Sequence, residues 1–416
     1  MRFNFLTQRA PVWRLASLLL VLVLLPSCAD AELSERERRL LASLSLSALP
    51  APTQISNRYF TNPDAQQLGN LLFHDPQLSQ TQSMSCATCH AADKYFADGL
   101  ETPVDNTLGN GTVNRNTPTV VGSAWNTWQY WDGRRDSLWS QALTPLEAPV
   151  EMASNRVAIA RYILLSDSYR ARYQTVFGPF PLTEADLSVD ASPVGNQAQK
   201  RAWFDIELPI QFKINTVFAN IGKAMGAFQG TLEPPASRFD KFVEKLNNNE
   251  DTAGILSKEE IAGARLFINE KKTQCLECHN GPLLSNGNFH SIGTGNLKAE
   301  RKDLGRAFGA QAVLQDEFNC HGRYSDARPE DCKHLNFMNR DNITHSQGAF
   351  KTPSLRNISN TGPYFHDGRF ATLAEVLLHY NDPPTDKSNH DLRNFKLSDK
   401  EMENLTAFLN ALSAEP

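Results

Sequence analysis

Two short stretches carry residue types whose order and spacing could do redox chemistry. Ser85-Cys86-Ala87-Thr88-Cys89-His90 and Gln274-Cys275-Leu276-Glu277-Cys278-His279 each place two thiols three residues apart, with a histidine directly behind them. Thiols at this spacing can reach the two vinyl groups on one edge of a porphyrin. The histidine that follows swings under the ring as the proximal iron ligand. A Cys-x-x-Cys pair alone would suit zinc or dithiol exchange. The trailing histidine and the duplication favour covalent haem c instead, held by Cys86, Cys89 and His90 and again by Cys275, Cys278 and His279.

Three of the seven cysteines remain. Cys28 closes a leader: Arg2, Arg9 and Arg14 precede an apolar run, Leu15 to Leu25, too short to span a bilayer comfortably. This is the pattern of a secretory signal peptide over residues 1–27. A cysteine behind Leu24-Leu25-Pro26-Ser27 resembles a bacterial lipoprotein cleavage site, with Cys28 as the lipidated N-terminus; Pro26 is an unusual neighbour there, and plain cleavage is the alternative. Export suits haem c, which is built outside the cytoplasm, and predicts a periplasmic chain touching a membrane, the outer one, only through an anchor at Cys28. Cys320 and Cys332 lie in a polar loop rich in Asp, Arg and Pro. In an exported chain they predict a disulfide; the alternative is a thiol metal site, with His321 and His334 next door.

The chain holds 41 basic and 46 acidic side chains. Cleavage before Cys28 removes three basic ones and leaves a mildly acidic surface, which argues against nucleic acid as a partner.

The elements that must position the two pentads repeat as well. A short amphipathic helix ending in Leu72-Phe73 precedes the first, and one ending in Leu266-Phe267 precedes the second. Capping boxes at Ser257–Glu260, Thr372–Glu375 and Ser398–Glu401 predict three helix starts. Behind Thr372, Leu373, Val376, Leu377 and Tyr380 share one face. Alternating runs are few, so the predicted fold is mainly α: two cytochrome c-like haem domains with long loops. Gly230 to Asp240 punctuates the change of domain. The expected organisation is a tether at 28–56, an N-terminal haem domain at 57–230 and a C-terminal one at 231–416, with a loop excursion from Phe177 to Asn196.

With "LLFHDPQLS", "RNTPTV", "YWDGRRDSLWSQALTPLEAPVEM" and "FKTPSLRNISNTGPYFHDG" added to the pentads, the chain resembles the bacterial di-haem cytochrome c peroxidase and MauG superfamily from about Asn57 to the C-terminus. The resemblance implies that the N-terminal haem meets hydrogen peroxide and the C-terminal, six-coordinate haem stores or relays oxidising equivalents, with a calcium ion between them. It assigns Glu151 as the distal acid–base group, Gln141 and Pro145 as lining residues of the same pocket, and Trp131 as the indole between the haems. It places calcium on the Asn116 side chain and the carbonyls of Thr361 and Pro363. Taken alone, Glu151 could equally be a solvated carboxylate and Trp131 ordinary packing.

Two departures separate the branches. Classical peroxidases carry a capping histidine between the first pentad and the "RN-P" motif; Ala91 to Asn116 contains none. The N-terminal haem should therefore be open without prior reduction. Fourteen residues after His366, where classical members place methionine, stands Tyr380, as in MauG-like members. A phenolate is hard and anionic and favours high-valent iron. Without the motif Tyr380 would read as a core tyrosine, and His379 is a rival ligand about 100° around the helix. His366 reads as structural. The implied function is a MauG-like oxidase: peroxide generates a paired high-valent (bis-ferryl) state that draws electrons over a long range from an aromatic residue, tryptophan, of a periplasmic partner protein. The segment around Cys320 resembles the methanobactin-operon enzymes of this branch. The alternatives are a cytochrome c peroxidase fed by a small electron-carrier protein, and a plain electron-transfer di-haem cytochrome.

Overall fold

The computed structural model describes Met1 and residues 33–104, 114–294, 303–338, 346–383 and 390–414. The leader, Cys28 and part of the stretch from Ala91 to Asn116 lie outside the described residues. A short helix, α1 (Glu35–Ala42), precedes the first unit, which comprises α2 (Pro63–His74), α3 (Cys86–Cys89), α4 (Leu138–Glu147), α5 (Arg156–Leu165), α6 (Asp167–Phe177), α7 (Gln197–Asp205) and α8 (Leu208–Gln229). The second contains α9 (Arg238–Asn247), α10 (Lys258–Phe267), α11 (Cys275–Cys278), α12 (Arg306–Gln315), α13 (Lys333–Asn336), α14 (Leu373–Asn381) and α15 (Asp399–Ala411). The sheet found among the described residues is a two-residue antiparallel pair, β1 (Phe289–His290) with β2 (Phe350–Lys351). The mainly α expectation holds, and α10, α14 and α15 begin at the three expected capping boxes.

The two units are built on one plan. In the first, α2 crosses α8 at Gly69, where a Cβ would sit 1.9 Å from the Ala224 carbonyl oxygen. In the second, α10 crosses α15 at Gly263, where a Cβ would sit 2.0 Å from the Asn404 carbonyl oxygen. Each glycine stands four residues before the phenylalanine, Phe73 or Phe267, that the helix carries toward its pentad. Contact this close needs a residue without a side chain, so the repeated glycine fixes the helix crossing. α8 also packs against α4, with Gly222 and Gly226 meeting the Trp139 backbone. It is therefore buried all round from Val217 to Gln229 save Asn220, as a central helix must be.

Packing crosses between the units. Among residues 33–56, Leu41 and Leu44 are fully buried with Phe239, Phe242, Leu405 and Phe408 of the second unit. Arg356 ties this contact by donating to the Leu44 carbonyl (2.6 Å) and to Asp240 Oδ1 (2.6 Å). Conversely, Phe318 and Tyr324, assigned by sequence to the second unit, join the core of the first. Buried Arg156 donates to Glu147, Asn215 and Glu317, and Lys223 meets Asp326 at 2.7 Å. A buried cation is tolerable only with such complete pairing. Cys320 and Cys332 are disulfide-bonded, as expected.

Candidate active site

Each pentad opens a solvent-accessible cavity. The first, about 190 Å³, is walled by Phe73, Cys86, Cys89, His90, Trp131 and Glu151. The second, about 410 Å³, is walled by Phe267, Cys275, Cys278, His279, Trp131 and Tyr380. The histidines are set alike. His90 Nδ1 lies 3.0 Å from the Phe96 carbonyl, and His279 Nδ1 lies 2.9 Å from the Leu284 carbonyl. A carbonyl only accepts, so each Nδ1 carries the proton and each Nε2 keeps its lone pair for a metal. Both accepting residues have left-handed backbones, φ +55° at Phe96 and +52° at Leu284. Burial lowers His90, and His279 to about 4, which keeps both imidazoles neutral.

The thiols fit the same role. Cys86, Cys89, Cys275 and Cys278 are free of one another. Burial pushes Cys86 up to about 12 and Cys275 up to about 11. Thiolate, not thiol, is the metal ligand and exchange nucleophile. Each pair, with its histidine directly behind, suits covalent attachment to a porphyrin edge.

Glu151 lines the first cavity, as do Gln141 and Pro145 of α4. α4 is fixed by its cap, the Ser137 hydroxyl accepting from Ser140 N. Burial raises Glu151 above the ordinary 4.5, against the pull of Arg134. His90 is the one histidine among the described residues lining this cavity. In the second cavity α14 brings Tyr380, its ring stacked 6.0 Å from Phe395. Burial raises its pKa, with the thiols of Cys275 and Cys278 adding to the effect. A nearby trivalent iron would reverse that direction, because the metal's charge favours phenolate. Tyr380 is half-buried, and its hydroxyl shows no hydrogen-bond partner among the described residues. His379 turns away and meets the Ile292 carbonyl at 2.7 Å. His366 is buried and stacked 3.6 Å from the Phe350 ring.

Trp131 borders both cavities. Its Nε1 donates to the Asn116 carbonyl (2.9 Å) and its carbonyl accepts from Lys351 N (2.8 Å). Asn116, Thr361 and Pro363 all line the second cavity. Asn116 Nδ2 is spent on the Leu100 carbonyl (2.8 Å), which leaves Oδ1 for a hard cation, and backbone carbonyls suit calcium as well. Lys351 went unnoticed in the sequence. It borders both cavities, and burial lowers it to about 8. A lysine beside "TPSLRN" was visible, but nothing in its type announced burial. Ser123 Oγ and Gln229 Oε1 also border the first cavity, buried and without hydrogen-bond partners.

Two thiol–thiol–imidazole cradles on a mainly helical frame define a di-haem c-type protein. Residues 63–248 match the model of the family described as di-haem cytochrome c peroxidase. The chain is 30% identical to the methylamine utilization protein MauG of Methylorubrum extorquens, over 85% of this chain and 79% of that one. It is 28% identical to the cytochrome c551 peroxidase of Nitrosomonas europaea, over 85% of this chain and 81% of that one. In fold it matches a MauG-like protein associated with microbial copper homeostasis, with a TM-score of 0.59 and 24% identity over 88% of this chain and 94% of that one. The chain belongs to the di-haem cytochrome c peroxidase and MauG family, and is thus a haem peroxidase-type oxidoreductase with two haem c groups.

Proposed function

We propose that the chain is a MauG-like enzyme that uses hydrogen peroxide to oxidise an aromatic residue, a tryptophan, on a periplasmic partner protein by long-range electron transfer. The haems, when bound, take up the two oxidising equivalents of peroxide. The chain supplies everything else. His90 and His279 each offer a neutral Nε2 to an iron. Glu151 stands in the first cavity as the group that takes a proton from one peroxide oxygen and returns it to the leaving one. Burial raises its pKa, which eases holding the proton between the two steps. Gln141 and Pro145 shape the space beside it. Trp131, on the wall of both cavities, offers an oxidisable indole between them. Asn116, through its side-chain oxygen, and the carbonyls of Thr361 and Pro363 would hold a calcium ion.

The observation that carries the reading is Tyr380. Its hydroxyl has no hydrogen-bond partner among the described residues, and it shares a cavity with His279. That cavity includes no methionine among its described lining residues. A Met-ligated haem fed by a small electron carrier, the peroxidase alternative, has no thioether donor there. Both names occur among the relatives at similar identity, so the test must be chemical. Peroxide added to the oxidised protein without an electron donor should raise a near-infrared band. If instead turnover requires prior reduction and the reduced spectrum shows a Met-ligated haem, the electron-carrier peroxidase is correct. Within the MauG-like branch, the proposed location is the periplasm, with Cys28 as a lipid anchor. The proposed partner is a cysteine-containing copper-binding protein, a reading that rests on the Cys320–Cys332 segment.

A further inference from the structure

Away from the two cavities, one cluster has ligand chemistry that the proposed function does not use. Asp136, Cys320 and His334 bring a carboxylate oxygen, a sulfur and a ring nitrogen within 4.8 Å of one another. Cys332, bonded to Cys320, adds a second sulfur. The Asp136 side chain is fully buried, while that of His334 is 18% exposed. Asp136 Oδ2 accepts from Cys320 N (2.8 Å) and lies 3.1 Å from His334 Nε2. Asp136 Oδ1 is buried with no hydrogen-bond partner. An orphaned carboxylate oxygen in a native interior calls for an explanation, and an unseen ion is one of the few available. Asp316 lies close enough for its charge and that of Asp136 to repel. A cation here would relieve both conditions.

We propose that reduction of the Cys320–Cys332 bond converts this pocket into a site for a tetrahedral divalent ion of the zinc class, held by Cys320 Sγ, Cys332 Sγ, His334 Nε2 and Asp136 Oδ1. The donor set is the mixed sulfur, nitrogen and oxygen type that zinc takes. Metal–sulfur bonds of about 2.3 Å put two thiolates roughly 3.8 Å apart in a tetrahedron. That is the separation two sulfurs reach once their bond is broken, and the Cα atoms, 5.8 Å apart, need not move far. The step balances. A dithiol reductant gives two electrons and two protons to the disulfide and is itself oxidised to a disulfide. The ion then displaces both thiol protons, while His334 shifts its proton from Nε2 to Nδ1. The partly exposed imidazole edge, with Trp128 at 5.3 Å, is the way in. Asp136 directly follows the loop that holds Trp131, which is closed by the Gln129 N to Arg135 O bond (2.9 Å). The site would therefore report external thiol redox state to the wall shared by the cavities.

The full haem-loaded chain carrying Cys28→Ser tests this: of its other five cysteines four are spent on haem, and the substitution removes the fifth. The protein is treated with zinc before and after reduction by dithiothreitol without oxygen, then desalted. Zinc is counted per chain and its ligands are read by X-ray absorption. The reduced chain should retain about one zinc ion with sulfur in its shell, and the oxidised chain none above background. Asp136→Asn, which leaves the disulfide in place for folding, should weaken zinc binding after reduction by at least about tenfold. Cys320→Ser with Cys332→Ser should abolish it. Equal zinc in both redox states, none after reduction, a shell without sulfur, or affinity indifferent to Asp136→Asn would each overturn the proposal.

Discussion

In the first unit His90 is steered by the Phe96 carbonyl and shares its cavity with Glu151; in the second His279 is steered by the Leu284 carbonyl and shares its cavity with Tyr380. The side that carries the cofactor is thus nearly the same twice: a glycine crossing, a phenylalanine four residues on, a pentad, and a left-handed residue that fixes the imidazole. What differs is the rest of the lining. One cavity presents an acid whose pKa burial raises, the other a phenol without a hydrogen-bond partner among the described residues. A duplicated cradle can therefore be kept while the groups that share its cavity are changed.

The largest expected break in this contrast is Glu151→Gln. Losing a positioned acid–base group should slow the reaction with peroxide by roughly 10²–10⁴-fold in stopped flow, with the second haem's spectrum unchanged. An equal loss at both centres would mean the two walls do not act separately. The same carboxyl sets a pH dependence. Glu151 must be ionised to accept a proton, and burial places its pKa above 4.5. The peroxide step should therefore fall as pH drops through that raised pKa, at a higher pH than an ordinary glutamate would give. Glu151→Gln should flatten the profile.

The shared side should break evenly. Gly69→Ala and Gly263→Ala each force a Cβ onto a carbonyl oxygen at 1.9 and 2.0 Å. Each should cost about 1–3 kcal/mol in denaturant unfolding, with similar losses in the two units. The smallest expected effects are at the caps. Ser137→Ala on α4 and Thr372→Ala on α14 should each cost about 1 kcal/mol. The first should disturb peroxide reactivity and the second the Tyr380-bearing site, because each helix positions a different wall.

Much of this was legible in residue order. The pentads, the Leu-Phe repeats and the three capping boxes are local signals, and local chemistry decides them. Tyr380, Glu151 and Trp131 could be named only through resemblance, since a buried tyrosine, a loop carboxylate and an indole have many ordinary uses. Long-range packing stayed hidden. Nothing near Leu41 and Leu44 says that they dock against Phe239 and Phe408 some two hundred and more residues away. Nothing in Phe318 or Tyr324 says that their segment crosses back onto α8. A further repeat emerges only from the backbone. The loops holding Tyr130-Trp131 and Tyr364-Phe365 each close by a bridge six residues apart and turn at a glycine with positive φ, Gly133 and Gly368. Side-chain variation within them masks a common turn that the aromatic pair and the Asp-Gly step impose.

The most direct measurement is electron paramagnetic resonance of the oxidised protein beside its Tyr380→Phe variant. Tyrosinate ligation at the second iron predicts that the variant loses or shifts the low-spin signal of that centre while the high-spin signal of the His90 site is retained. Identical low-spin signals in the two proteins would contradict the account.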